Sequence, residues 1–294
     1  MFARSSSSLH LLSPSRWLSY STRLATQQPA ITFIGAGNMA EALMGGLHTS
    51  GFQRLRYVEP LESRLLHLQQ KYPDIMGVPA SEEGHEKALH DADVVILAVK
   101  PHQLRQVMPV VSAASTTTDT RRSPLYISIV GGVTIGQMIT WMGKRGSTPV
   151  IRCMPNTPAL LGEGAFGLYA NDAVDQDQRE LTDRIMHAVA KTTQWVNKES
   201  LIDSNAGVEA GLTMEEAKSL TIQTCLGAAR MAQQVEGDED LASLRRKVTS
   251  PNGTTEAAIK TMEANSIRQI MKEAVFAATH RAHAISKELD QEQE

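Results

Sequence analysis

A glycine-rich turn near the start of the chain is the first place where residue types and spacing point to chemistry. The pattern G-x-G-x-x-A follows the apolar run 31–34 and opens a helical pattern; it consists of Gly35, Ala36, Gly37, Asn38, Met39 and Ala40. The first glycine permits a tight turn, the second lets the backbone approach a pyrophosphate, and the alanine keeps helix and strand close. Free N–H groups and the helix dipole then bind the anion. Because a second apolar run ends at Val58, the context predicts a dinucleotide-binding turn.

Charged residues around the second predicted strand bear on which dinucleotide binds. Glu59 follows Gly35 by 24 residues and is expected to accept hydrogen bonds from the adenine ribose hydroxyls. It would also repel a 2′-phosphate, which favours NADH. Arg54, Arg56 and Arg64 lie close to it in sequence and can instead hold that phosphate. The sequence therefore leaves NADPH and NADH both open.

Three further strand ends supply candidate cofactor contacts at the sheet edge where ligands bind in such folds. The stretches are "AVKPH" (98–102), "SIVGGVTI" (128–135) and "VIRCMPNTP" (150–158), and the candidates are Ala98, Val99, Lys100, Pro101, Val130, Gly131 and Asn156. Lys100 adds a cation near the cofactor, or else is a solvated surface charge. Paired glycines allow the backbone close to a ring. Asn156 can hydrogen-bond a carboxamide or form an Asx turn.

A polar turn that runs into a helix, "VTSPNGTTEAA" (248–258), is a candidate anion site. Thr254 and Thr255 can cap the helix, and its first N–H groups can hold a carboxylate. The alternative is a simple N-cap that holds no ligand.

Short apolar runs alternate with helical patterns in the first half, which predicts an α/β fold with a doubly wound parallel sheet. The predicted strands are 31–34, 55–58, 94–99, 125–130 and 150–154, and the runs 166–170 and 192–196 can extend the sheet. The predicted helices are 38–48, 61–71, 81–90 and 102–113. After about residue 174 the pattern becomes Ala-rich and predicts helices over 213–235 and 254–287. We therefore expect a Rossmann-type dinucleotide-binding domain over 31–174 and a mainly helical domain over 175–294.

Composition excludes several classes of function. The 294 residues carry a net charge of −3, which argues against a dedicated nucleic-acid binder, and no apolar run is long enough to span a bilayer. Cys153 and Cys225 form no disulfide framework and suit a reducing compartment. They lack metal-ligand spacing, and His280 with His283 would need a third ligand, so no metal site is predicted.

The first thirty residues differ from the rest of the chain. They contain Arg4, Arg16 and Arg23, eight serines and no acid, since the first acidic residue is Glu41. This composition is typical of an organellar transit peptide, which we expect over 1–30. The alternative is a disordered tail, with the protein in the cytoplasm.

Six motifs together resemble the pyrroline-5-carboxylate reductase family. They are "FIGAGNMA", "AVKPH", "GGVTI", "VIRCMPNTP", "ESLID" and "VTSPNGTT", in the family's order and spacing between about Ile31 and Leu289. The resemblance implies hydride transfer from NADPH or NADH to the C=N bond of 1-pyrroline-5-carboxylate, which gives L-proline as the final step of proline biosynthesis. It also implies homo-oligomers built by the helical domain. A mitochondrial location fits the family's eukaryotic members.

The same resemblance assigns the substrate contacts to Glu199, Ser250, Gly253, Thr254 and Thr255. No catalytic side chain is assigned, because a protonated cyclic imine is already electrophilic. The protein need only place the nicotinamide against the imine and anchor the carboxylate. A β-hydroxyacid dehydrogenase shares the glycine-rich turn, but "VTSPNGTT" and "VIRCMPNTP" argue against that class.

One segment that the family carries is missing from this sequence. In the family, "ESLID" precedes a helix-bearing segment whose S-G-S-G-P-A motif binds the substrate carboxylate and begins the dimerisation domain. Here Ser204 and Asn205 join the flanking stretches directly, so roughly 20 residues are absent, about 30 Å if helical. The alternative function is a catalytically impaired isoform that binds dinucleotide and intact subunits, and homo-oligomers are in doubt. Asn252 also replaces a usual glycine, which is tolerable where φ is positive.

Overall fold

The computed structural model describes residues 28–115, 123–144, 148–199, 211–235, 240–249 and 251–291, with side chains described as far as Arg281. The chain divides into two compact units, residues 1–231 and 232–294. The expected transit peptide, the junction at Ser204 and Asn205, and Ser250 lie outside the described residues.

The first unit is built on a sheet that has eight strands in the described residues. They are β1 (Ile31–Ile34), β2 (Leu55–Glu59), β3 (Met76–Pro79), β4 (Val94–Leu97), β5 (Leu125–Ser128), β6 (Val150–Met154), β7 (Gly164–Ala170) and β8 (Ala190–Trp195). Their order is β3-β2-β1-β4-β5-β6-β7-β8. Neighbours from β3 to β6 are parallel, β7 is antiparallel to β6, and β8 is parallel to β7. The strand order reverses between β1 and β4, where ligands bind in doubly wound sheets.

Helices connect these strands and continue into the second unit. The first unit contains α1 (Asn38–Thr49), α2 (Glu62–Lys71), α3 (Glu82–Leu89), α4 (Pro101–Ala114), α5 (Ile135–Trp141), a 3₁₀ helix (Thr157–Leu161), α6 (Gln176–Met186) and most of α7 (Met214–Gln233). The second unit contains α8 (Leu241–Val248), α9 (Thr254–Ala264) and α10 (Ile267–Gln291). The predicted fold class, a doubly wound sheet followed by a helical region, is confirmed.

The sheet is covered on both faces, so its central strands are continuous apolar runs. Ile31 and Phe33 of β1 pack with Leu43 of α1 in one apolar cluster, whereas Ile34 belongs with Leu104 of α4 to the other. All four β1 residues are buried. This two-sided burial fixes the carboxyl ends of the strands, where the candidate site lies.

Several elements differ from the sequence-based prediction. The pattern misses β3, α5, α6 and α8; β3 has the sequence Met-Gly-Val-Pro and is an edge strand, where glycine and proline are tolerated. The strands predicted over 94–99 and 125–130 end earlier, at Leu97 and Ser128. The runs 166–170 and 192–196 extend the sheet as predicted, in β7 and β8, so the sheet reaches Trp195, beyond the expected domain boundary at residue 174.

The long helix predicted over 254–287 is two helices. Ser266 has a φ of 58°, in the left-handed region, and separates α9 from α10. An apolar pattern cannot report a break of this kind, because the helical periodicity resumes one residue later.

The second unit exposes its apolar side chains. None of its described residues is buried, and the exposed fractions range from 47% to 62% for Met262, Ile270, Met271, Val275 and Phe276. Helices in water gain most of their stability from packing an apolar face. This unit therefore needs a partner surface.

Candidate functional site

Gly35 brings the ends of β1, β2 and β4 together. Its N–H donates to the Val58 oxygen at 2.9 Å, and the Ala98 N–H donates to the Ile34 oxygen at 2.8 Å. Gly35 has a φ of +89°, and a Cβ there would lie 2.8 Å from the Ala98 oxygen and 3.0 Å from Val99 Cγ1. Only glycine fits both this backbone angle and this space. The candidates Ala98 and Val99 therefore lie against the turn.

The start of α1 is open beside that turn. Gly37 is the N-cap residue, and a Cβ built on it would meet nothing within 4 Å. Asn38 is exposed and Met39 is half-buried, whereas Ala40 is buried beneath them. Because the first N–H groups of a helix have no intrahelical partner, this end can hold an anion. The open approach at Gly37 fits the pyrophosphate of a dinucleotide.

The Glu59 carboxylate, at the end of β2, is held by backbone groups. Its Oε2 accepts a hydrogen bond from the Ala36 N–H at 3.0 Å, and its Oε1 accepts one from the Leu61 N–H at 3.0 Å. The residue is only 7% exposed. Both oxygens thus organise the chain, whereas the sequence suggests a contact with the ribose hydroxyls.

Two of the three arginines suggested for a 2′-phosphate lie elsewhere. Arg54 and Arg56 bind Asp91 at 2.5 and 2.8 Å, near the amino ends of β2 and β4. Burial would raise the pKa of Asp91, but the Arg56 hydrogen bond and the charges of both arginines outweigh it and lower the pKa. The suggestion that Arg54 and Arg56 hold a phosphate at the carboxyl edge is therefore wrong, because parallel strands separate the two edges.

Arg64 is the one of the three that reaches the turn. Its Nε donates to the Ala36 oxygen at 2.9 Å, and its Nη2 binds Glu41 Oε2 at 2.5 Å. Lys71 Nζ binds the other Glu41 oxygen at 2.6 Å. Burial would raise the pKa of Glu41, but the hydrogen bonds and charges of Lys71 and Arg64 outweigh it and lower the pKa. A cluster of two cations and one carboxylate therefore lies beside the start of α1.

The ends of β4 and β5 line the same edge. Lys100 and Pro101 are exposed at the start of α4, where the Lys100 N–H donates to Gln103 Oε1 at 3.2 Å. Val130 is buried, and Gly131 is half-buried with only ordinary contacts from Met154 at its Cβ position. The structure thus places these candidates at the carboxyl edge of the sheet, with Lys100 on the surface.

Asn156 hydrogen-bonds to two neighbouring elements of the fold. Its Oδ1 accepts a hydrogen bond from the Ala165 N–H at 2.9 Å, and its Nδ2 lies 3.5 Å from Thr224 Oγ1. These bonds tie the start of the 3₁₀ helix to β7 and α7. The carboxamide contact expected of Asn156 stays a prediction, since the side-chain amide has a second N–H donor.

Helix α7 packs closely on the segment that follows β6. Gln223 Nε2 donates to the backbone oxygen of Glu163 at 3.0 Å, and Arg230 Nε lies 3.5 Å from the Glu163 carboxylate. A Cβ on Gly227 would lie 2.5 Å from the Pro158 Cβ. The helix that follows the junction thus packs within the first unit, to which most of it belongs.

Glu199, which the family resemblance makes a substrate contact, binds the start of α5. Its Oε1 accepts a hydrogen bond from the Ile135 N–H at 2.6 Å and lies 3.7 Å from Arg152 Nη1. Arg152 is buried in β6, a position the sequence marks only as a charge inside an apolar run. A carboxylate at a helix N-terminus is favoured by the helix dipole. Glu199 therefore supports the loop at 130–134.

The turn at 249–255 belongs to the second unit. Gly253 is the N-cap of α9, and no side chain caps it, so the expectation that Thr254 and Thr255 cap this helix is wrong. Glu256 instead accepts a hydrogen bond from the Asn252 N–H at 2.5 Å. Asn252 has a φ of 58°, as expected for a residue that replaces glycine.

The described residues contain neither a candidate metal site nor a membrane-spanning helix. No group of three or more His, Cys, Asp or Glu residues there could hold a metal ion. No helix within those residues is long and apolar enough to cross a membrane.

A mostly parallel sheet whose strand order reverses beside an open glycine-rich turn defines a dinucleotide-binding domain of the Rossmann type. Family models agree with this class. Residues 30–132 match the model "NADP oxidoreductase coenzyme F420-dependent", and residues 199–285 match "Pyrroline-5-carboxylate reductase dimerisation". The chain belongs to the pyrroline-5-carboxylate reductase family.

Relatives match over almost their whole length. The pyrroline-5-carboxylate reductase of Pseudomonas aeruginosa is 37% identical, with 90% of this chain and 99% of the relative covered. A solved pyrroline-5-carboxylate reductase from Coxiella burnetii is 35% identical, with a TM-score of 0.55 and coverage of 87% and 98%. A Plasmodium falciparum pyrroline carboxylate reductase, solved with NADP bound, has a TM-score of 0.50 at 24% identity and shows the shared fold, covering 86% of this chain and 96% of its own.

The alignment with the Pseudomonas aeruginosa protein has more positions than this chain has aligned residues. It spans 286 positions, but 90% of 294 residues is about 265. About 21 positions of that relative therefore have no counterpart here, close to the number that the motif spacing indicates.

Proposed function

We propose that this protein reduces 1-pyrroline-5-carboxylate to L-proline with NADPH or NADH. Family membership supports the substrate and the reaction. One structural observation supports dinucleotide binding. Gly35 packs against Ala98 without space for a Cβ, while the adjoining helix start at Gly37 is open.

The residues of the chain act here by binding and positioning. The Gly35–Gly37 turn and the first N–H groups of α1 hold the pyrophosphate. The ends of β4 and β5, with Val99 and Val130, form the edge that receives the rest of the cofactor. A nicotinamide bound there would supply the hydride that reduces the C=N bond of the substrate. No strong acid is needed, because the protonated imine is already electrophilic.

Proline formation tests this proposal directly. The purified full chain is incubated with pyrroline-5-carboxylate and either NADPH or NADH, and proline is quantified alongside cofactor oxidation. Proline formed in proportion to oxidised cofactor supports the proposal. Oxidation without proline, or no oxidation while cofactor binds, contradicts it.

A second candidate, a catalytically impaired isoform, is supported by the missing positions. About 21 of the aligned positions in the Pseudomonas aeruginosa relative lack a counterpart, and no S-G-S-G-P-A motif occurs in this chain. Loss of this segment would remove one carboxylate anchor while leaving the Gly35 turn intact. Sequencing the transcript across the codons for 199–212 shows whether the missing residues are encoded. A transcript that joins the codons of Ser204 and Asn205 directly supports the impaired isoform.

The chain assembles with copies of itself through the segment 199–285, which matches the family's dimerisation model. The exposed apolar side chains of α9 and α10 supply a surface for that contact, since none of the described residues in the second unit is buried. Obligate interfaces are apolar in this way.

A mitochondrial location is part of the same proposal. It is supported by the Arg- and Ser-rich, acid-free composition of residues 1–30. Fusing residues 1–30 to a fluorescent protein tests it: import into mitochondria supports the proposal, and a diffuse cytoplasmic signal contradicts it.

A further inference from the structure

Ala36, in the middle of the glycine-rich turn, is held on both sides by side chains from outside the turn. Its N–H donates to Glu59 Oε2 at 3.0 Å, and its carbonyl oxygen accepts a hydrogen bond from Arg64 Nε at 2.9 Å. Glu59 is the last residue of β2, and Arg64 lies in the first turn of α2. We name Glu59 and Arg64 the Ala36 clamp.

The turn needs such a clamp because its own residues do not fix its shape. Gly35 and Gly37 flank Ala36, and glycine populates backbone conformations that other residues avoid. A binding loop that must be ordered when the ligand arrives loses affinity through the ordering cost. Hydrogen bonds to the two peptide groups of Ala36 remove that freedom in advance.

The clamp is itself fixed. Arg64 is held against Glu41 of α1 at 2.5 Å, and Lys71 holds the other Glu41 oxygen at 2.6 Å. The side chains of Arg64 and Glu41 are 22% and 14% exposed, so solvent screens this pair only in part. The two cations also balance a carboxylate that would otherwise repel a pyrophosphate at the start of α1.

Glu59 has no oxygen left without a backbone partner, since Oε1 accepts from the Leu61 N–H. We propose that Glu59 and Arg64 are positioning residues, which hold the Ala36 peptide groups so that the turn is preformed for the pyrophosphate of either dinucleotide. This inference rests on the proposed dinucleotide binding and adds that the two residues act through the turn and not on the ribose.

The test measures dissociation constants for NADPH and NADH with the full chain and its variants, by calorimetry on protein shown to be folded. Glu59→Gln replaces one carboxylate oxygen with an amide NH₂, which cannot accept the hydrogen bond from the Ala36 or Leu61 N–H. Arg64→Met removes the bonds to the Ala36 oxygen and to Glu41. A hydrogen bond to a charged group contributes enough for each variant to weaken binding about tenfold. Arg64→Lys, which keeps the ion pair with Glu41, should recover part of the loss.

Glu62→Gln is the matched control, because Glu62 is exposed in the first turn of α2 and carries the same charge at the same edge. It should leave both dissociation constants unchanged. Equal losses for NADPH and NADH in the Glu59 and Arg64 variants support the clamp.

Two results overturn the clamp while leaving the proposed function standing. A loss confined to NADPH in the Arg64 variants means that Arg64 binds the 2′-phosphate directly. Unchanged dissociation constants with a lowered melting temperature mean that the residues serve stability alone. Wild-type protein that binds neither dinucleotide contradicts the proposed function and the clamp together, whereas failure of the clamp alone leaves wild-type binding intact.

Discussion

The α-carbon of Gly35 lies so close to the carbonyl group of Ala98 that a Cβ on residue 35 would approach that oxygen to 2.8 Å. The contact joins the turn after β1 to the end of β4, across the point where the strand order reverses. It makes the shape of the cofactor edge depend on a residue without a side chain.

Gly35→Ala should therefore destabilise the fold and abolish dinucleotide binding. A non-glycine residue at positive φ costs about 1–2 kcal/mol, and overpacking adds about 1–3 kcal/mol. Urea unfolding monitored by circular dichroism measures the change. Gly136→Ala, in α5, has only ordinary space around its Cβ and serves as the control. A Gly35→Ala protein as stable as wild type would contradict the packing described.

Gly37→Ala should separate binding from stability. Its backbone angles are ordinary and a Cβ there meets nothing within 4 Å, so the free energy of unfolding should fall by no more than about 1 kcal/mol, the cost of alanine at an N-cap. The added methyl group occupies the approach of the pyrophosphate, and a loss of about 1.4 kcal/mol corresponds to tenfold weaker binding. Titration with NADPH and NADH checks this, again with Gly136→Ala beside it. Undiminished affinity would place the pyrophosphate elsewhere.

Glu199→Gln should lower the free energy of unfolding by about 1–3 kcal/mol, the worth of a hydrogen bond to a charged group. It weakens the bond to the Ile135 N–H and removes the charge near Arg152. Denaturant unfolding measures this effect, with Glu62→Gln as the control. Unchanged stability together with a raised KM for pyrroline-5-carboxylate would instead make Glu199 a substrate contact.

Acid should weaken the Glu41 cluster in a defined direction. The pKa of Glu41 is lowered from an ordinary value of 4.5, so its contribution to stability is fully present above that value. As the pH falls below 4.5 the unfolded state takes up the proton first, and the contribution is lost by the time the pH passes the folded pKa. Urea unfolding of wild type and Glu41→Gln across this range measures the difference. A difference that is as large at the lowest pH as at pH 7 would contradict this account.

Met271→Glu should dissociate the homo-oligomer without affecting cofactor binding. Met271 is 58% exposed in the second unit and lies within the segment that matches the dimerisation model. Burying a new carboxylate at an apolar interface is unfavourable. Light scattering after gel filtration gives the mass, and Gln70→Glu, exposed on α2 outside that segment, is the control. A variant whose mass stays that of the wild type would place the interface on another surface.

The sequence predicts the framework of the first unit well, because buried parallel strands and amphipathic helices leave clear apolar patterns. It places Gly35, Glu59 and the ends of β4 and β5 at one edge. It cannot say that the Glu59 oxygens are engaged by backbone, since a strand-end acid has the same sequence pattern whether it faces ligand or chain. In the sequence, Arg54, Arg56 and Arg64 all lie close to Glu59. Only the tertiary structure shows that Arg64 reaches the carboxyl edge, while the other two lie near the amino ends of the strands.

Hydride transfer from labelled cofactor tests the central claim most directly. The purified full chain is given pyrroline-5-carboxylate and NADPH carrying deuterium at the transferable C4 position, and the proline is analysed by mass spectrometry. The account predicts proline with one deuterium, on the carbon that belonged to the C=N bond. Bound cofactor with no labelled proline would contradict it and identify the chain as the catalytically impaired form.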